Sequence, residues 1–313
     1  VRKALRRLTR NPKLQSRSDY EEWHSQWSGT KSRAIQGFKK GTFKANGQKL
    51  QYRVAGNGPT IIAISGRRGG SFWAATLRHL AATHRVVLYD APGRAGTTGG
   101  RHAFTLNSEL AIIQSLQTHI KASKATLLAD EVGALLAAQY TIARPESVKA
   151  LVLVTPTLAG SRAGRDVIAA QRLSKTIRRD LGALDEQFAW FHPAAWVRYR
   201  NAVLNTGYVK RKTLAPRLEA FPVDPYVDQQ LTKMMGRLLL ADQLEQIRAK
   251  VLIVRGQQDA LTTSEVHALG KLAREHEHIN IAQIQGVGHY PQLESPKKLA
   301  ETIRPILSFT PSK

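Results

Sequence analysis

The chain has 313 residues, 42% of them hydrophobic, enough to bury a full core as one large domain or as a domain carrying an insertion. It contains no cysteine, which excludes disulfides, thiolate metal sites and cysteine nucleophiles together, and no apolar run reaches the roughly 18 residues of a membrane-spanning helix. Its 47 lysines and arginines against 23 acids leave a formal charge of +24, an excess most easily offset by nucleic acid, next by an anionic membrane surface, and otherwise a mark of a basic compartment.

Residues 1–40 form a basic leader. Val1, Leu5 and Leu8 share one helical face, and Arg2, Lys3, Arg6, Arg7, Arg10 and Lys13 surround it. This is the pattern of an organellar targeting remnant or of an arm that grips RNA phosphates, and a first residue of Val1 fits a removed presequence. Tyr20, Trp23 and Trp27 follow at helical spacing.

The folded part is expected from Gly41. Two alternating strands meet at Asn46-Gly47, a strong hairpin signal. Thr60–Ile64 is a continuous apolar strand, and it leads into Ser65-Gly66-Arg67-Arg68-Gly69-Gly70 and a helix through Trp73, Leu77 and Leu80. Val86–Tyr89 is the next strand, closed by Asp90-Ala91-Pro92-Gly93-Arg94-Ala95-Gly96, and a helix through Leu110, Ile113, Leu116 and Ile120 follows. Then come a strand at Thr126, a small-residue helix over Gly133–Ala143, and a strand over Val148–Val154. Residues 157–247 break this rhythm with a mostly helical pattern punctuated by Pro193, Pro216, Pro222 and Pro225, which reads as an inserted cap. Strands at Val251–Val254 and Ile279–Ile284, and a helix near Leu299 and Ile303, restore the alternation. Regular strand–helix alternation implies a mostly parallel sheet with helices on both faces. The expected division is therefore a leader over 1–40, a core over 41–156 and 248–313, and a helical cap over 157–247.

The stretch Ala125 to Ala134 organises the rest. A buried strand that turns sharply into a helix is the setting of a nucleophile elbow, G-x-S-x-G, with small residues on both sides of the turn because the two backbones pass closely. Ala129 and Gly133 hold the small positions, and Glu131 stands where the serine would be.

Together these residues resemble the α/β-hydrolase superfamily, in the subgroup with a helical cap between the sixth and seventh of eight strands. Ser65-Gly66-Arg67-Arg68-Gly69 resembles the loop that supplies an oxyanion-hole N–H, and Asp90 to Gly96 resembles the D-x-P-G-x-G turn after the fourth strand. Arg144-Pro145-Glu146-Ser147-Val148 resembles the lead into the sixth strand; Asp259 stands at the family's acid and Gly288-His289 at its histidine. The resemblance implies triad positions Glu131, His289 and Asp259, with the backbone N–H groups of Val132 and Arg67 as the oxyanion hole.

A glutamate at the elbow removes the hydroxyl that the histidine would deprotonate, and sets an imidazolium between two acids. On these grounds the sequence predicts a catalytically inactive hydrolase fold, recruited as an RNA-contacting component of an organellar ribonucleoprotein. The mitochondrial ribosome in the matrix fits best, with rRNA bound through the leader. The alternative is an active hydrolase of the epoxide hydrolase or dehalogenase kind, with Glu131 as carboxylate nucleophile. One extra methylene relative to aspartate would move the attacking oxygen by about 1.5 Å, and misplacements near 1 Å can cost roughly a hundredfold. Asp130 is shorter, but strand alternation turns it away from the pocket. Arg67, Arg68 and Arg94 are expected at the same sheet edge, to neutralise Glu131 and Asp130 or to point outward. A third reading is a binding module that holds a small acid against Arg67 and Arg68. No cofactor motif is present, and His276-Glu277-His278 reads as a solvated turn and not as a metal site.

Overall fold

The computed structural model describes residues 37–94, 104–156, 240–259 and 266–308, together with Val227, Gln230, Leu231 and Met234. The leader with its candidate RNA contacts Arg2, Lys3, Arg6, Arg7, Arg10 and Lys13, the stripe Tyr20, Trp23 and Trp27, and most of the expected cap lie outside the described residues.

The first two strands, β1 (Lys39–Ala45) and β2 (Gln48–Ala55), form the expected hairpin, beginning two residues earlier than the pattern suggested. Asn46 and Gly47 at its tip have φ of 49° and 72°, the paired positive values of a tight turn matched to strand twist. The chain continues through β3 (Thr60–Ala63), a 3-10 turn at Gly70–Trp73, α1 (Ala74–Arg78), β4 (Arg85–Tyr89), α2 (Leu106–His119), β5 (Ala125–Asp130), α3 (Glu131–Ala143) and β6 (Val148–Val154). It ends with α4 (Leu240–Leu244), β7 (Lys250–Gly256), α5 (Val266–Glu275), β8 (Ile279–Ile284), α6 (Pro291–Glu294) and α7 (Pro296–Ser308). The helix expected through Leu80 is shorter, because Gly69-Gly70 opens a 3-10 turn and α1 closes at Arg78.

The eight strands lie in the order β1-β2-β4-β3-β5-β6-β7-β8. From β4 to β8 every pairing is parallel, and only β2 runs against its neighbours. Parallel central strands must bury both faces, and the side-chain alternation does so. Ile62, Leu127 and Ala129 enter one core with α2, α3 and α5 residues such as Ile113, Leu136 and Leu272. Ile61, Ala63 and Leu128 enter the other with Trp73, Leu299 and Ile303. Each such side chain taken fully out of water contributes about 1.5–3 kcal/mol, which is why these short strands hold their register.

The turn after β4 is tied by buried ions. Arg53 on β2 meets Asp90 at 3.2 Å, and the same carboxylate accepts from the Ser71 N–H at 3.2 Å. Arg94 meets Glu109 on α2 at 3.0 Å. This differs from the expectation that Arg94 neutralises Glu131 and Asp130 or points outward. The guanidinium is 1% exposed, so it takes the acid nearest its own turn, on the first turn of α2. Glu109→Ala is expected to destabilise the fold by about 3–5 kcal/mol, because it strips the carboxylate from a buried guanidinium. Denaturant unfolding checks this; a loss below 1 kcal/mol would mean the pair is replaceable.

Candidate active site

Strand β5 passes directly into α3, with Asp130 as its last residue and Glu131 as the first of the helix. The helix thus begins two residues before the Gly133 start expected from sequence. Glu131 has φ 40°, a left-handed value that costs a residue with a side chain on the order of 1–3 kcal/mol and is kept where surrounding packing demands it. The packing here is close: a Cβ on Gly133 would lie 3.4 Å from the Cα of Gly66, so the helix start rests on the loop after β3. The turn is an elbow in conformation as well as in sequence.

Because β5, β7 and β8 are parallel, their carboxyl ends open on one edge of the sheet, the edge where such sheets place their sites. Asp259 lies three residues past β7, and His289 lies in the loop between β8 and α6. The imidazole bridges the two acids. Its Nδ1 lies 3.0 Å from Asp259 Oδ2 and its Nε2 lies 3.2 Å from Glu131 Oε1. The structure therefore brings Glu131, His289 and Asp259 together as a buried Glu–His–Asp line. This is the imidazole between two acids that a glutamate at the elbow implied.

The electrostatics follow from this packing. Burial pushes the His289 imidazole down, but the Asp259 charge and the hydrogen bonds to Asp259 and Glu131 override it and hold the ring well above its ordinary value. The resting ring is an imidazolium that donates to both acids. Tyr290 donates its hydroxyl to Glu131 Oε1 at 3.1 Å, so one carboxylate oxygen takes two donors. Arg67 Nε lies 3.4 Å from the other oxygen, Oε2. Arg68 donates to the Tyr290 hydroxyl at 3.4 Å, and its Cζ lies 5.3 Å from the Tyr290 ring centroid and 5.6 Å from that of Phe72. Both guanidiniums are buried, and they face the elbow carboxylate and the tyrosine beside it. These are the groups against which a small acid was expected. Val132, the other oxyanion candidate, is fully buried at the start of α3.

Asp130 is buried too, with its carboxylate on Gln292 of α6 (Nε2 to Oδ2, 2.8 Å). It makes that bond and not one to the imidazole, consistent with the strand alternation. Burial pushes its carboxyl up, the adjacent Glu131 charge adds to the push, and it reaches about 7 despite His289 and Arg68. Among the described residues no group of three or more His, Asp or Glu could hold a metal ion, and no helix is long and apolar enough to cross a membrane.

The family sequence model for alpha/beta hydrolases matches residues 56–302. The chain belongs to the alpha/beta hydrolase family. It is 26% identical over 234 residues to RutD of Azorhizobium caulinodans, provisionally named a carbamate hydrolase, covering 70% of this chain and 81% of that one. It is 19% identical over 273 residues to the (E)-2-((N-methylformamido)methylene)succinate hydrolase of Acinetobacter baylyi, covering 85% and 97% of the two chains. Among solved structures, a bromoperoxidase of Bacillus anthracis shares the fold with a TM-score of 0.68 at 16% identity, over 87% of this chain and all (100%) of that one.

These relatives overturn the expectation of a catalytically inactive, RNA-contacting component of a mitochondrial ribosome. The proteins this chain is similar to in sequence are named as hydrolases, and they point to an enzyme and not to a pseudoenzyme recruited as a ribosomal part. The physical error lay in the charge argument. Net charge speaks to solubility and encounter, not to fold or chemistry. Arg67, Arg68 and Arg94, expected either to neutralise acids or to point outward, are buried and engaged within the domain.

Sequence reasoning missed Tyr290, Gln292, Glu294 and Thr155. All but Thr155 fall within five residues after His289, so the segment following the histidine was the signal to follow. Thr155 follows β6 directly at φ 45°, and its hydroxyl donates to the His289 carbonyl at 2.9 Å.

Proposed function

We propose that the chain is an active hydrolase whose nucleophile is the Glu131 carboxylate. The observation that carries this reading is the 3.2 Å contact between Glu131 Oε1 and His289 Nε2, with Asp259 holding the far nitrogen at 3.0 Å. Nucleophile, base and orienting acid stand in the order that covalent catalysis needs.

The chemistry closes on the groups present. A Glu131 oxygen attacks the substrate carbon and the bond to the leaving group breaks. The leaving group departs with the bonding pair and takes the imidazolium proton, directly or through water. Glu131 is now a neutral ester. Its hydrogen bond no longer favours the charged ring, and His289 is left as the free base that the second step requires. The ring takes a proton from water, the hydroxide attacks the ester carbonyl carbon of Glu131, and the N–H groups of Val132 and Arg67 are the proposed donors to the oxyanion. Collapse releases the alcohol and restores both ions. The sum is R–X plus water giving R–OH plus H–X, with R and X still joined in a diol where the substrate is an epoxide. An epoxide suits the route, because its opened oxygen is basic enough to take the proton. A halide is not, and on a carbon–halogen substrate the His289 proton passes to solvent water, which leaves the same free base. The relatives' names add carbamates and substituted formamides to the substrates to test.

A single turnover with excess enzyme in 18O-labelled water tests the route. The expected result is 18O in the Glu131 side chain and unlabelled oxygen in the first product, because the labelled oxygen adds to the glutamyl carbon. Label found only in the product would mean that water attacks the substrate directly, and the nucleophile assignment would fall.

A further inference from the structure

The loop carrying His289 is fixed by a residue outside the triad. Glu294, the last residue of α6, turns its carboxylate back on the two backbone N–H groups that flank the histidine. The Gly288 N–H donates to Oε2 at 2.9 Å and the Tyr290 N–H donates to Oε1 at 3.1 Å. From the opposite side the Thr155 hydroxyl donates to the His289 carbonyl at 2.9 Å. The peptide joining His289 to Tyr290 is therefore held at its C=O by Thr155, just after β6, and at its N–H by α6. The second carboxylate oxygen holds the peptide joining Val287 to Gly288, one link before the histidine's own.

With the backbone tied on both sides of the histidine, Asp259 at 3.0 Å sets the side-chain torsions of the ring. The geometry points to Glu294 as a positioning residue for His289, a clamp that keeps Nε2 on Glu131 by fixing the backbone on either side of the ring. A plainer role is available and must be separated from this one. A glutamate early in a helix that reaches back to the N-cap N–H stabilises the helix alone, as in a capping box. α6 spans only Pro291–Glu294, and Tyr290 is its N-cap. Capping accounts for the Tyr290 bond. It does not account for the bond to Gly288, on the far side of the histidine.

The proposal rests on the function proposed above, since it assigns Glu294 a part in that site. The test therefore has a readout that needs no turnover. Glu294→Gln keeps the shape and one carbonyl acceptor but loses the second acceptor, and Glu294→Ala loses both. The Glu294 charge also favours the His289 cation directly. For that reason 15N-histidine-labelled Glu294→Gln, which drops the charge, is compared with Glu294→Asp, which keeps it on a shorter reach. The His289 ring signals of both are expected to titrate at lower pH than in the parent, because a ring that drifts from Glu131 and Asp259 loses the acids that keep it charged. A fall confined to Glu294→Gln would be the lost charge alone and would overturn the clamp. On whichever substrate the parent turns over, kcat is expected to fall about ten- to a hundredfold with KM held, the size of effect that a misplacement near 1 Å produces. Glu294→Asp is expected to recover part of the loss. An unchanged His289 titration in Glu294→Gln, with the fold intact by circular dichroism, would reduce Glu294 to a helix cap. Failure to find any substrate would count against the nucleophile assignment while leaving the titration result to decide the clamp.

Discussion

Replacing Glu131 by glutamine is expected to abolish turnover while leaving the fold intact. The amide has nearly the same shape, so the elbow at φ 40° and its packing on Gly66 are undisturbed. What changes is charge and nucleophilicity. A neutral amide oxygen attacks carbon poorly, and the loss should be on the order of 10⁴-fold or more, the scale seen when the nucleophile of a triad is removed. A second effect follows from the same exchange. The hydrogen bond from His289 Nε2 to Glu131 is one of the contacts that hold the imidazole in its charged form. With an amide there, the ring should ionise at lower pH, and the 15N shifts of His289 report this directly. Losing activity without moving the ring would mean that the carboxylate acts apart from the histidine. Keeping activity would move the reaction away from Glu131 altogether.

How much of this was visible in the chain varies residue by residue. The sheet was legible because its inner strands are apolar runs such as Thr60–Ile64 and Val148–Val154, too short for helices and bounded by turns. The elbow was legible because close passage of two backbones leaves its mark as small residues, and Gly133 against Gly66 is that contact. The triad positions were legible through their order along the chain, since parallel strands send their ends to one edge. The direction of each arginine was not. Arg94 chose Glu109, fifteen positions away at the start of another helix, and no local pattern announces such a pair. The left-handed backbone that aims the Glu131 carboxylate was not legible either, since side-chain type alone does not reveal it. Function was misread for a related reason. A net charge says nothing of where the cations sit or of the chemistry they surround, and buried arginines such as Arg53, Arg67 and Arg94 pair with acids of the same domain.

The carboxyl next to the nucleophile makes stability depend on pH, and the sign of the effect is set by burial. Asp130 is raised to about 7 from the model-peptide value of 3.8, chiefly because burial penalises its charge and secondarily because Glu131 stands beside it. Between these two values the folded chain holds a proton that the unfolded chain has lost. Stability linked to Asp130 is therefore fully present below about pH 4 and declines as pH rises to about 7, above which both states are ionised and the slope vanishes. Asp130→Asn fixes the neutral form and keeps an acceptor for Gln292 Nε2, which lies 2.8 Å from Oδ2 in the parent. The variant is expected to match the parent near pH 4 and to be more stable at pH 8 by about 2–4 kcal/mol, from a shift worth roughly 1.4 kcal/mol per unit. Denaturant unfolding at the two pH values checks this, and equal stability at pH 8 would show that Asp130 is held as a carboxylate at no cost. The gain at high pH also bears on the site. Two adjacent buried carboxyls that shed only one proton readily leave a single negative charge beside His289, and Glu131 is the one in contact with the ring. A wild-type carboxyl at Asp130 that keeps its proton near neutral pH lets Glu131 carry that charge toward the substrate.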